Sequence, residues 1–367
     1  MDKHRYPALQ ILRGIAASAV VANHVWHSPE NGVGLRDILR IGDLAHLGVM
    51  AFFCLSGMLM VLTTRQATPG ARPAALFLRA RVERIYPVYV LWLSILLAMI
   101  VAAAAAGSGF LRHLWVRVWP DVVIRNYLLL PGLPGERNGM FIGQAWTLVY
   151  EMYFYVVFAA CLLFFNGTRL LVALCVVIGV PVLAAWVTGF HAERLSWVNI
   201  DYIVTDPLVL NFIMGGIFGA WLKGNSRHSA DLPLAGRPMP QWLFVAAALA
   251  ISLAPMPFLP SFVHNLGSVA LLIAMTFLVV RPNRITRALV YLGDASYSIY
   301  VSHIVFSVSA WQVERRLPLP TDAVGVLLTA MAIVVGCLSY SLFERQVTDR
   351  LKAARRTRRT EPQAVSP

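Results

Sequence analysis

The sequence predicts an all-α integral membrane protein of about ten transmembrane helices, with both termini in the cytoplasm. Composition is the first reason. Of 367 residues, 58% are apolar, only 13% are charged, and the mean hydropathy is +0.66. Soluble chains carry about a quarter of their residues as charges, so this composition argues against a soluble globular enzyme and equally against a disordered chain. Second, the apolar residues fall into runs close to the roughly 20 residues that cross a bilayer. Third, the basic residues are unequally shared between the two sides those runs define.

The runs lie near 7–27, 45–62, 86–106, 145–165, 169–189, 206–222, 241–259, 263–280, 289–311 and 322–343. A weaker stretch at 122–130, broken by Arg125 and Asn126, reads as a re-entrant or interfacial piece. With the N-terminus inside and sides alternating, 21 Lys and Arg fall inward and 9 outward, and Arg13 within the first run completes the 31. That bias sets the orientation. The first run is too long for a signal peptide, contains Arg13 and His24, and precedes no small-residue cleavage pattern. Residues 1–345 form the membrane domain, and 346–367 read as a basic cytoplasmic tail expected to lack order.

The net charge of +13 sits in short loops rather than in an interleaved aromatic-basic stripe, which excludes nucleic-acid binding. Cys54, Cys161, Cys175 and Cys337 all lie in apolar runs without C-x-x-C spacing and read as small core residues. Gly215-x-x-x-Gly219 reads as a helix-packing contact.

Ionisable groups inside spans cost on the order of 2.5–3.5 kcal/mol each, so they carry the functional signal. Arg13 and His24 stand 11 residues apart on the first run. At about 100° per residue their directions differ by only about 20°, and their separation along the axis is about 16 Å. One face therefore carries a fixed cation in its cytoplasmic half and an imidazole near its outer end. A hydrogen-bonded interfacial histidine is the bland alternative for His24. His27 invites a metal, but no further ligand has suitable spacing, so no metal site is assigned.

In the second run Ser56 lacks the flanking glycines of a nucleophile elbow, and Ser56-Gly57 reads as a close helix approach. Arg81 and Arg84 project together if their segment is helical, as a phosphate clamp or as ordinary lipid-facing charge. Glu151 lies about one and a half turns inside the outer boundary, in the leaflet of His24. It suits a carboxylate that orients the imidazole, or an ion pair with Arg125. Trp146 opens the same run. In the ninth, Asp294 and Ser296 are candidate helix caps, while Tyr297, Tyr300 and His303 are candidates to line a polar cavity with them.

These pieces together resemble the membrane-bound acyltransferase-3 family, particularly its exopolysaccharide-production branch. The matching segments are Leu9-Gln10-Ile11-Leu12-Arg13-Gly14 through His24, and Phe52-Phe53-Cys54-Leu55-Ser56-Gly57. They continue with Arg81-x-x-Arg84 before Tyr86-Pro87, Trp146-Thr147-Leu148-x-x-Glu151-x-x-Phe154-Tyr155, and Leu292-Gly293-Asp294-x-Ser296-Tyr297 to His303. One position departs: Met50 stands where many relatives have an aspartate. The resemblance implies transfer of an acyl group, usually acetyl from acetyl-coenzyme A, to a hydroxyl of an extracytoplasmic or lipid-linked glycan. It gives weight to Arg13, His24, Arg81 and Arg84, and it implies the bacterial inner membrane.

The expected chemistry follows from these assignments. Acetyl-coenzyme A arrives from the cytoplasm and Arg81 with Arg84 holds its phosphates. Its pantetheine arm passes Arg13, and His24, oriented by Glu151, takes the proton of the sugar hydroxyl as that oxygen attacks the thioester. Direct transfer is expected because no activated serine or cysteine is evident. A glycan or lipid transporter without chemistry is the alternative; no pair of similarly interrupted helices suggests an inverted repeat.

Overall fold

A computed structural model describes residues 6–360 except 31, 65, 134–138, 194–196, 225–240 and 254–260. Lys3, Arg5, Arg65, Arg137, Arg194, Arg227 and Arg237 of the orientation count lie outside the described residues, as do 254–259 of the run at 241–259. Among the described residues the fold is all-helical, with one isolated bridge between Gly132 and Asn199. The long helices are α1 (Pro7–Val25), α2 (Ile41–Thr63), α3 (Ala71–Ala105), α4 (Trp146–Phe164) and α5 (Gly167–Thr188). They continue as α6 (Leu210–Gly224), α7 (Gln241–Ser252), α8 (Ser261–Phe277), α9 (Arg284–Ser302), α10 (Thr321–Ser339) and α11 (Arg345–Thr360).

Each apolar run overlaps one of the first ten of these helices. Among the described residues six helical stretches are long and apolar enough to cross a bilayer: Pro7–Val25, Ile41–Thr63, Ala71–Ala105, Gly143–Phe164, Gly167–Thr188 and Thr321–Arg355. Helices α6, α7 and α8 are apolar but shorter, and α9 carries Arg284, Arg287 and Asp294. The outer faces are apolar: Val172, Val176, Val180, Leu183 and Val187 are exposed at helical spacing along α5. In water such a stripe would be a large unfavourable patch; in lipid it is the matching surface. The chain is thus a multi-pass membrane protein.

Three expectations need correction. The segment 63–85, an inward connection between the second and third runs by the sequence, is largely the first half of α3, because Ala, Leu, Arg and Glu favour helix whether or not the segment is apolar. Arg81 and Arg84 therefore stand on a spanning helix. The run 289–311 breaks at His303 and continues as the short helices Ile304–Ser307 and Ala310–Arg316; α9 begins earlier, where Asn283 and Thr286 form a reciprocal cap. The tail expected to lack order continues as α11 through Thr360, and its Arg355 binds Glu83 of α3. Residues 361–367 lie outside the described residues. The weak stretch at 122–130 holds only the short helix Pro120–Tyr127.

Close backbone approach fixes the centre. A Cβ on Gly215 would sit 1.9 Å from the Cys54 carbonyl oxygen, and one on Gly57 would sit 1.9 Å from that of Phe212. α2 and α6 therefore meet backbone to backbone, the role expected of Gly57 and Gly215. Likewise a Cβ on Gly293 would sit 1.9 Å from the Gln10 carbonyl oxygen, which locks α9 against α1. Overpacking typically costs about 1–3 kcal/mol, and here the obstacle is backbone that must move as a unit. Gly215→Leu is expected to lower the yield of monodisperse protein in detergent and its thermal midpoint, measured by size-exclusion chromatography and a thermal scan.

Candidate active site

Two cavities lie along the bundle. The inner one, about 820 Å³, is lined by Arg13, Ser56, Arg81, Arg84, Glu151, Tyr155, Ser296, Tyr297 and Tyr300 together with apolar residues. α1 presents Arg13, whose guanidinium donates to Gln10 Oε1 at 3.2 Å and to the buried Ser296 hydroxyl of α9 at 3.0 Å. The close α1–α9 contact at Gly293 brings Ser296 within reach. Arg81 donates to Thr63 Oγ1 at 3.2 Å and lies 5.1 Å from the centre of the Phe77 ring and 5.6 Å from that of Tyr155. Its Nε is buried without a partner. Arg84, one turn on, faces the cavity, and its guanidinium makes no hydrogen bond among the described residues.

Glu151 is the one carboxylate in this lining. Ser56 donates to its Oε1 at 3.3 Å, and the Tyr155 hydroxyl donates to the same oxygen. The Tyr297 hydroxyl donates to the Ile85 carbonyl at 2.7 Å, which ties α9 to α3 beside Arg84. The lining brings three guanidinium groups to one carboxylate, while Glu344 acts on Arg13 and Arg84 from behind it; the clustered forks are a setting for an anion with several phosphate oxygens.

Outside the inner cavity lies a wider one of about 1390 Å³, lined by His24, His113, Arg117, Gln144, Trp146 and Trp311 among others. Between the two stands a polar partition. The Tyr300 hydroxyl donates to the Gln144 carbonyl at 2.6 Å and lies 2.6 Å from Thr147 Oγ1. Tyr300 and Thr147 face the inner cavity, and Gln144 faces the outer one.

His24 is near the end of α1, with Nδ1 2.8 Å from the Val20 carbonyl and 3.3 Å from Nε2 of His303. His303 follows the last residue of α9, is fully buried, and places its own Nδ1 3.3 Å from the Ile299 carbonyl. The rings stack with centroids 5.2 Å apart. A proton on each Nδ1 satisfies both carbonyls, and the one on His24 is shared between the Val20 carbonyl and the more distant His303 Nε2. His24 Nε2 is then the free basic nitrogen.

The expected pairing of Glu151 with His24 does not form. Sequence fixes depth along a helix better than rotation, and α4 turns Glu151 toward Ser56 on α2, among the arginines. The Arg125 alternative also fails: Arg125 donates to the Pro131 carbonyl at 2.8 Å and lies over the Trp197 ring at 4.7 Å. Asp294 and Ser296 do not cap a helix, since they lie well inside α9, and Asp294 lines neither cavity. His303 lines neither but backs His24. His27 pairs with Glu314 at 2.9 Å, and among the described residues no three metal-binding side chains cluster.

Sequence reasoning missed Gln144, Thr147, Tyr155 and Glu344. The last is carried inward by the π-helical turn Tyr340–Glu344 and accepts from Ser298 at 2.6 Å. An acid one residue beyond an apolar run reads as loop; the wide turn is what returns it to the bundle.

The sequence profile described as the Acyltransferase domain matches residues 6–342, nearly the whole helical bundle. The chain belongs to the acyltransferase-3 family. It is therefore an O-acyltransferase by family. A similar protein is the exopolysaccharide production protein ExoZ of Rhizobium meliloti (strain 1021), 31% identical over 319 residues, covering 84% of this chain and 92% of that protein. No solved structure matches the chain. Every residue by which the sequence resembled the acyltransferase-3 family lies in the matched region.

Proposed function

We propose that this acyltransferase moves an acetyl group from acetyl-coenzyme A to a hydroxyl of an exopolysaccharide or lipid-linked glycan, with His24 as general base. The observation that carries the reading is the pair of cavities meeting at Thr147 and Tyr300, guanidinium groups on one side and an imidazole on the other. The similarity to ExoZ supports the glycan. The basic-residue bias supports ten spans in a bacterial inner membrane, both termini cytoplasmic, with the inner cavity toward the cytoplasm.

In this reading Arg81 and Arg84 bind the donor phosphates, and Arg13 guides the pantetheine arm toward the partition. Glu151 lets the guanidinium groups stand close together by offsetting part of their mutual repulsion. Displacement of Tyr300 from Thr147 admits the thioester to the outer cavity. The glycan hydroxyl then attacks the thioester carbonyl and its proton passes to His24 Nε2. The tetrahedral intermediate collapses by breaking the carbon–sulfur bond, and the departing coenzyme A sulfur takes the proton from the imidazolium. His303 and the Val20 carbonyl hold the ring with Nε2 facing the acceptor.

Purified protein in lipid nanodiscs is expected to release coenzyme A from acetyl-coenzyme A only when a glycan acceptor is present, with the acceptor gaining one acetyl mass. Glycan uptake into vesicles without thioester consumption would favour the transporter instead.

A further inference from the structure

We infer that the outer cavity takes an acceptor saccharide bearing an anionic group, a carboxylate or a phosphate, held by Arg117. The inference rests on the acyl-transfer reading only for placing the acceptor hydroxyl at His24. Among the described residues the lining of this cavity contains Arg117, His113 and His24, and neither aspartate nor glutamate. Arg117 is half-buried, and beyond its backbone hydrogen bonds its guanidinium makes no hydrogen bond or ion pair among the described residues. Arg112 and Arg316, also on this side, are exposed, whereas three others are engaged. Arg36 donates to Asn23 at 2.8 Å, Arg40 binds Asp43 at 2.6 Å, and Arg315 lies 3.9 Å over the Trp311 ring.

A partly desolvated guanidinium without a counter-ion is unfavourable, and an anion that enters the cavity offsets that cost. Arg117 also belongs to the segment after α3, on the side where the charge bias disfavours basic residues. A ligand supplies a physical reason for a cation there. The cavity walls fit the remainder of a saccharide: Trp146 and Trp311 offer flat apolar faces, and Gln144 offers an amide between them. His24 shares the lining, so a sugar with its hydroxyl at Nε2 has its anionic substituent within the same enclosure as Arg117. The planar fork matches carboxylate and phosphate equally, so the anion has two sources, an acidic sugar or the diphosphate of a lipid carrier.

Binding and transfer are measured in parallel on the full chain in nanodiscs. The probes are an oligosaccharide containing glucuronic acid, a neutral oligosaccharide of equal length, and a polyprenyl-diphosphate-linked neutral saccharide. At least one anionic probe is expected to bind about 10-fold tighter than the neutral one, and which one does names the source. Arg117→Gln is expected to remove that preference and Arg117→Lys to keep part of it, with retained acetyl-coenzyme A binding as the folding control. Arg112→Gln, exposed nearby and outside the lining, is expected to leave the preference intact. Equal binding of charged and neutral probes, binding of none, or a preference that survives Arg117→Gln overturns the inference. His24→Ala is expected to bind with the same preference and transfer nothing. A charge preference without transfer by the unaltered protein would sink the acyltransfer assignment and spare this one.

Discussion

His24→Ala is expected to lower acetyl transfer by about 10²–10⁴-fold, the usual worth of a positioned general base, while protein level stays near that of the unaltered chain. The loss should fall on kcat. Donor contacts lie in the inner cavity on Arg13, Arg81 and Arg84, so the KM for acetyl-coenzyme A should barely move. His303 sharpens the test, because it touches the base and not the cavity. His303→Phe removes the acceptor facing His24 Nδ1 and should lower kcat about 10-fold by loosening the ring. His303→Gln restores a polar group at the same reach and should recover part of that loss. A purely structural histidine would not separate Phe from Gln in this order. Steady-state coenzyme A release gives all of these values, and near-normal turnover by well-folded His24→Ala protein removes the base assignment.

Why the sequence showed some of this and not the rest follows from what a linear pattern encodes. Apolar runs report where a helix must face lipid, so the ten runs fell on helices, while the polar first half of α3 gave no such signal and passed for a connection between runs. Arg13 and His24 were correctly placed on one face because they share one helix, whose internal geometry is fixed. Glu151 was mispaired because its partner depends on how α4 is rotated against α2, and rotation is set by packing such as the stack of Phe154 on Phe212, with centroids 4.4 Å apart. His24 and His303 were each conspicuous as ionisable groups in apolar surroundings. Their contact spans 279 positions and exists only because Gly293 lets α9 lie directly on α1.

Arg81 and Arg84 should govern donor affinity rather than chemistry. Charge-assisted hydrogen bonds are worth about 1.5–3 kcal/mol each, so Arg84→Ala is expected to raise the KM for acetyl-coenzyme A about 10-fold or more with a small change in kcat. Arg84 is the cleaner of the two. Its guanidinium makes no hydrogen bond among the described residues, so its removal leaves none of their groups unpaired. Arg81 also stacks beside Phe77 and Tyr155 and binds Thr63, so Arg81→Ala disturbs packing as well as charge. Removing both should exceed either alone and leave Arg13 as the one guanidinium in the lining. Lysine retains charge but not the bidentate fork, so Arg84→Lys should fall between. Dephospho-coenzyme A thioesters, which lack one phosphate, offer the complementary change: if Arg84 binds that phosphate, the Arg84→Ala penalty shrinks with the truncated donor. An equal penalty with both donors would move Arg84 to the diphosphate, and no penalty with either would remove it from the donor site.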